Sequence, residues 1–417
     1  MAQEVMKTND LKFCDRPEHV FSKIITYNDK SISFSAYGDY WRQVKKMCTM
    51  ELLTTKRVQS FRTIREEEVS EMVKAISKNE GSIVNLGDMI SSMTYGITSR
   101  AIFGTKKRNQ NHEVYVSAIE ESVQLAATTT IANLYPSIGV LQMLSRTKAR
   151  FEELHRETDR IMQDIVDDHK HRKRDDDHYE EVDDFVDVLL KFQHGKDFEY
   201  ELTDDHIKAL IQDMFVGGGE TSSVIVEWAM SELIKNLKVL ERAQDEVRRV
   251  YVNKGYVDES ELHQLTYLKC IIKETLRLHP FFPLLVPREN REACQVNGYE
   301  IPPKSKVIIN AWAIARDPRF WIDDAESFKP ERFLDSSIDY RGSHFEFLPF
   351  GAGRRMCPGI AFATPNMELP LAKLLYHFDW KLPNGIKNEE LEMIESFGIT
   401  IRRQNKLCLI PIIVHKP

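Results

Sequence analysis

The sequence predicts a mainly α-helical protein, one large domain over residues 1–417 with small β-sheets. Three observations predict it. Apolar residues recur at helical spacing over long stretches, strand signals are short and late, and neither an internal repeat nor a sharp composition break divides the chain.

Apolar residues make up 42% and glycines number 18 in 417, as in ordinary globular proteins. That composition excludes a disordered chain, a collagen and a small stapled scaffold. The net charge of −7 argues against bulk nucleic-acid binding, which favours a basic footprint. The cysteines, at 14, 48, 270, 294, 357 and 408, form no CxxC pair, so neither a disulfide framework nor a zinc ribbon is expected. A reducing compartment fits better. Met1-Ala-Gln-Glu4 does not read as a signal peptide. The longest charge-free run, Val123–Leu144, holds Gln124, three threonines, Asn133 and Pro136, which makes a poor membrane span.

In chain order, Phe151, Leu154, Ile161, Met162, Ile165 and Val166 form one stripe of an amphipathic helix. His171–Asp184 is a mixed charge cluster that reads as a solvated connection. Ile207–Leu237 is long and apolar on most sides, as buried helices are. Leu240, Ala243, Val247, Val250 and Tyr251 mark another helix, and Leu262–Leu278 a further one that stops at Pro280. Val296-Asn-Gly-Tyr-Glu-Ile-Pro-Pro303 reads as a hairpin. Lys306–Asn310 and Leu407–Val414, the latter interrupted by Pro411, read as strands. Asp317–Pro349 shows no period, and an irregular stretch that long is usually functional.

Phe350-Gly-Ala-Gly-Arg-Arg-Met-Cys-Pro-Gly359 is the most informative stretch. Glycines permit a tight loop, and proline suits the first helical position, so Cys357 is expected at a helix N-terminus. The helix dipole, Arg354 and Arg355 would favour its thiolate. A lone cysteine is more often a small buried hydrophobe, but this setting suits a soft metal with a single protein ligand, such as haem iron. A cysteine nucleophile is the alternative, although no oriented histidine is evident. Gly351-Ala-Gly353 begins like a dinucleotide fingerprint, and Met356 breaks the match.

The long apolar helix carries Phe215-Val-Gly-Gly-Gly-Glu-Thr-Ser-Ser223. Three helical glycines cost about 3 kcal/mol relative to alanine, which calls for a structural reason. They can admit a flat cofactor or an opened turn, with Glu220 and Thr221 placed beside the gap to relay protons. Helix-packing glycines are the plainer reading. A phosphate loop would need lysine where Glu220 stands. Glu274 and Arg277 lie three apart on one helix face, ordinarily a modest salt bridge.

The cysteine loop resembles the Phe-x-x-Gly-x-Arg-x-Cys-x-Gly signature of the cytochromes P450. Phe350, Gly353, Arg355, Cys357 and Gly359 fill every fixed position. The helix stretch is similar to the family's oxygen-binding motif at Gly217, Gly218, Glu220, Thr221 and Ser222. Glu274-Thr-Leu-Arg277 resembles Glu-x-x-Arg, and Pro330-Glu-Arg-Phe333 supplies Arg332. Trp41-Arg-Gln-Val-Lys45 resembles Trp-Arg-x-x-Arg with lysine in the last place. Ser35–Trp41 and Leu369–Phe378 look like a plant microsomal enzyme of the seventy-one clan.

The resemblance implies a helical fold with small sheets and a haem-thiolate monooxygenase. Cys357 would be the proximal metal ligand of haem b. Trp41, Lys45, Arg288 and Arg355 would reach the propionates, with Phe350 and Gly359 also binding the cofactor. Glu220 and Thr221 would deliver protons. Glu274, Arg277 and Arg332 would be structural. Substrate contacts would lie at Asp213, Met214, Phe215, Gly217, Gly218, Leu284, Leu285, Val286, Phe397 and Ile399, suiting a lipophilic terpenoid or phenolic. No nicotinamide or flavin fingerprint is present, so an NADPH-dependent reductase would dock near Arg42, Lys46 and Arg354. The chain would be monomeric and bind no nucleic acid.

The first residues resemble the second lettered helix of the family. The expectation is a chain without the membrane anchor, first helix and first two strands. Its first sheet would be incomplete, and the strands near Val286 and Val307 would lack partners. Full-length relatives sit at the cytosolic face of the endoplasmic reticulum. This chain would be cytosolic or peripheral, with Val123–Leu144 resembling the segment that dips into the membrane surface. Two competing readings are an inactive fragment and a non-oxygenating isomerase or dehydratase. The Glu220–Thr221 pair argues against the second.

Overall fold

A computed structural model describes residues 1–104, 110–127, 146–175, 183–195 and 200–417. The fold is mainly α, with small antiparallel sheets. Two compact units are distinguished. The first comprises residues 1–60, 98–217 and 287–308, the second residues 61–97, 218–286 and 309–417.

In the first unit the helix Arg146–Asp175 packs against Val20–Ile25 and Gln110–Ala126. Its buried face carries Phe151, Leu154, Ile161, Met162 and Val166 of the predicted stripe, with Ile165 half-buried, and the Phe151 ring meets Phe21 edge-on at 5.5 Å. The helix continues through His171 to Asp175, so the first part of the expected solvated connection is helical. Residues 176–182 lie outside the described residues, as does the charge-free run from residue 128 onward. Asp184 caps the next helix, Phe185–His194, in a reciprocal box with Asp187.

The predicted hairpin forms between Cys294–Val296 and Tyr299–Ile301. Asn297 (φ 49°) and Gly298 (φ 83°) both take the left-handed conformation that a two-residue hairpin turn demands. The strands expected to lack partners pair with each other instead. Arg288–Glu289 runs antiparallel to Lys306–Val307, and the Glu289 N–H also donates to the Asp15 carbonyl at 2.9 Å. Sixteen residues separate Glu289 from Lys306, so the chain returns on itself and this pairing needs no earlier strand. The second strand is shorter than predicted and ends at Val307.

In the second unit the helix Leu237–Tyr251 buries Leu240, Ala243, Val247 and Tyr251 as predicted. The next α-helix is Thr266–Leu278 and starts later than the periodicity indicated, because Glu259–Gln264 is a separate 3₁₀ turn. Its first amides are capped from another helix: the Glu246 carboxylate accepts from Tyr267 N at 2.8 Å and Leu268 N at 2.9 Å. The three-stranded sheet has the order Val84–Asn85, Cys408–Ile413, Phe378–Lys381. Pro411 sits within its middle strand without breaking it. The Pro411 carbonyl accepts from Gly81 N at 3.0 Å, so its donorless nitrogen faces that end of the sheet, away from Phe378–Lys381.

The long helix is Asp204–Lys235, unbroken through its three glycines and ended before Leu237 by Asn236. The chain passes from the first unit to the second within it, between Gly217 and Gly218. Among the described residues no helix is long and apolar enough to cross a membrane.

Candidate active site

Gly351 (φ 68°) and Gly353 (φ 71°) take left-handed conformations that side chains resist, and they fold the cysteine loop back on itself. The Cys357 N–H closes the loop on the Phe350 carbonyl at 3.0 Å, and the Phe350 ring meets Tyr340 at 5.2 Å. The helix that follows begins at Ile360 with Gly359 as its cap. Pro358 therefore lies before the helix rather than at its first position, and Cys357 stands three residues ahead of it. Pro358 and Gly359 form the turn between the loop and the helix. The sulfur still receives a backbone donor, the Gly359 N–H at 3.4 Å. A donor aimed at sulfur favours the thiolate. Cys357 is the exposed cysteine of the six; Cys14, Cys48, Cys270 and Cys294 are buried and Cys408 is half-buried. Burial pushes the Cys270 thiol up to about 11 and the Cys48 thiol higher still, leaving both inert.

On the long helix Gly217 and Gly219 have different surroundings. A Cβ on Gly219 would lie 2.5 Å from the Tyr95 ring, so this glycine admits an aromatic neighbour. A Cβ on Gly217 would meet nothing within 4 Å. Glu220 is buried, and its Oε1 accepts from Arg402 Nε at 2.7 Å and from Thr400 Oγ1 at 3.4 Å, with Arg402 Nη2 2.5 Å from the same oxygen in the ion pair. Thr221, next in the chain, is half-buried. Sequence reasoning missed Arg402 and Thr400. They lie about 180 residues from Glu220, and no local pattern marks them.

Glu274, Arg277 and Arg332 come together. Arg277 donates to Glu274 Oε2 from Nε at 2.8 Å and to Oε1 from Nη2 at 2.7 Å. Arg332 Nε and the Lys329 N–H reach the same Oε1 at 3.0 and 2.8 Å. The remaining Arg277 donors go to the carbonyls of Ala315, Ala325 and Ser327. One buried ion pair thus fastens the irregular stretch after Ala315 to the helix Thr266–Leu278.

Trp41, Lys45 and Arg288 belong to the first unit. The Trp41 indole N–H donates to the Ile32 carbonyl at 2.9 Å, and the Lys45 ammonium lies 5.0 Å from the Trp41 ring centre. Arg288 is buried, and its Nη1 donates to Asp10 Oδ1 at 2.9 Å. Arg355 is half-buried; Arg354, Arg42 and Lys46 are exposed.

The expected substrate contacts divide. Phe215 is fully buried among the rings of Tyr115, Phe103 and His112. It is a core residue, because a ring packed on all sides has no face left for a ligand. Asp213 accepts from Ser33 N at 3.2 Å. Burial holds its carboxyl up at about 6 against several opposing hydrogen bonds. Met214, Leu285 and Val286 are half-buried, and Leu285 has φ 50°. Leu284 and Ile399 are exposed, and Phe397 is 92% exposed.

A family model described as Cytochrome P450 matches residues 1–409. The chain belongs to the cytochrome P450 family. It is 64% identical over 99% of its length to Cytochrome P450 71D10 of Glycine max, covering 80% of that protein. It is 50% identical over 99% of its length to Tabersonine 6,7-epoxidase isoform 1 of Catharanthus roseus, covering 81% of it. A zebra fish cytochrome P450 structure with progesterone superposes with a TM-score of 0.81, covering 99% of this chain and 91% of that one at 22% identity. This protein is accordingly a cytochrome P450 monooxygenase of the plant seventy-one type, and its cofactor is haem iron. The residues fit that cofactor: an exposed sulfur on a glycine-turned loop, with a backbone N–H directed at it, is the donor a single-ligand haem site requires.

Proposed function

We propose that this cytochrome P450 inserts one oxygen atom into a lipophilic small molecule of plant specialised metabolism, with electrons from an NADPH-dependent reductase. The observation that carries the reading is the exposed Cys357 sulfur facing the Gly359 N–H. The relative named as an epoxidase supports oxygen insertion as the reaction class. Bound haem supplies the activation of dioxygen, which a thiolate ligand promotes by donating electron density.

The chain's own residues do the rest. Cys357 holds the iron from the loop. Arg355, Lys45 and Arg288 provide positive charge for the propionates, and Trp41, fixed by Ile32, carries Lys45 against its ring. Glu220 and Thr221 pass protons inward, the carboxylate first and the hydroxyl after it. The Glu274–Arg277–Arg332 cluster keeps the stretch leading to the loop in place. Leu284, Phe397 and Ile399 offer apolar surface to the substrate, and Leu285 and Val286 border it. The reductase docks on exposed Arg42, Lys46 and Arg354.

The test is the carbon monoxide spectrum of the reduced protein. A red-shifted thiolate Soret band is expected in the wild type and its loss in Cys357→Ser. An unshifted, histidine-like band in the wild type overturns the reading.

A further inference from the structure

Residues 394–404 form a hairpin. The Ser396 N–H donates to the Arg402 carbonyl at 2.8 Å and the Gln404 N–H to the Ile394 carbonyl at 2.9 Å. Two contacts anchor one arm: Ile401 N donates to Phe281 O at 2.9 Å, and Trp228 Nε1 on the long helix donates to Ile401 O at 3.1 Å. Past the Ser396–Arg402 pair the tip projects, with Phe397 and Ile399 exposed. At the pair itself the Arg402 side chain runs the other way, to the buried Glu220 carboxylate.

A carboxylate this buried is costly to ionise unless a positive partner replaces lost water. Arg402 supplies that charge, with two guanidinium nitrogens on the same oxygen, Oε1, and the Thr400 hydroxyl beside them. The arm that clamps the acid is also the arm that carries Ile399.

We propose that Arg402 is the positioning residue of the proton-delivery pair: it holds Glu220 ionised and in place, and ties that carboxylate to the hairpin whose tip meets the substrate. The proposal rests on the monooxygenase reading and deepens it. Each proton drawn from solvent passes through Glu220 to the Thr221 hydroxyl as that hydroxyl releases its own proton into the site, leaving Glu220 a carboxylate and Thr221 a neutral hydroxyl again. Without Arg402, burial drives Glu220 to its neutral form, and delivery falters.

The experiment compares wild type, Arg402→Gln, Arg402→Lys, Glu220→Gln and the Glu220→Gln/Arg402→Gln double variant as holoenzymes, each with its carbon monoxide spectrum taken. Peroxide released per electron consumed should rise about threefold or more in Arg402→Gln, stay within about twofold of wild type in Arg402→Lys, and be no worse in the double variant than in Glu220→Gln. Infrared spectra at neutral pH should show a protonated carboxyl band in Arg402→Gln that the double variant lacks. Wild-type peroxide release in a haem-loaded Arg402→Gln overturns the proposal. If Arg402→Gln does not fold, the wild type decides: a protonated carboxyl band that Glu220→Gln removes overturns it, and its absence supports it. Failure of the underlying reading looks different, as an unshifted carbon monoxide band in the wild type.

Discussion

Arg277 grips Glu274 through both carboxylate oxygens, at 2.8 and 2.7 Å, with both side chains fully buried. Removing one partner leaves an uncompensated buried charge, so Glu274→Gln should lower stability by about 3–5 kcal/mol. Arg277→Lys keeps the charge but loses the fork and the three carbonyl contacts, and should also destabilise strongly. Chemical denaturation checks both. A loss under about 1 kcal/mol for Glu274→Gln would show the pair to be dispensable.

Gly217 and Gly219, two residues apart, should respond oppositely to alanine. Gly217→Ala adds helix propensity where a Cβ meets nothing, and should stabilise by up to about 1 kcal/mol. Gly219→Ala drives a methyl into the Tyr95 ring and should destabilise by about 1–3 kcal/mol. Melting curves of the two variants provide the comparison, and equal shifts would contradict it.

Phe397 and Phe215 were both expected at the substrate, and truncation separates them. Phe397→Ala removes a ring that is 92% exposed and should change stability by under about 0.5 kcal/mol while weakening substrate binding. Phe215→Ala empties a fully buried site and should cost about 3–5 kcal/mol. Urea unfolding together with substrate-binding titrations distinguishes a surface contact from a core residue.

Asp213 makes the fold sensitive to pH. Burial raises its folded-state value to about 6 from an ordinary 3.8. A raised carboxyl contributes stability that is complete below the ordinary value and lost as pH climbs through the raised one. The Asp213→Asn variant should therefore match wild type near pH 4 and become relatively more stable by about pH 6–7. The difference in urea midpoints across that range measures it; a constant difference would exclude Asp213 as the cause.

Much of the helical framework was legible because burial imposes a 3.6-residue period on apolar positions, as in the stripe from Phe151 to Val166 and in Leu240, Ala243 and Val247. Turn chemistry was legible for the same local reason: Asn297-Gly298 admits the left-handed pair the hairpin needs. The start of the helix at Thr266 was not, because its cap comes from Glu246 on another helix.

By itself the sequence determined the family, the cofactor and the loop that carries Cys357, since glycines, arginine, cysteine and proline act there within ten residues of one another. Only the tertiary structure decided which glycine packs against Tyr95, that Phe215 is core rather than pocket, and that Arg402 holds Glu220. Those outcomes depend on contacts between segments far apart in the chain, and a contact of that kind leaves no period or spacing in the sequence to read.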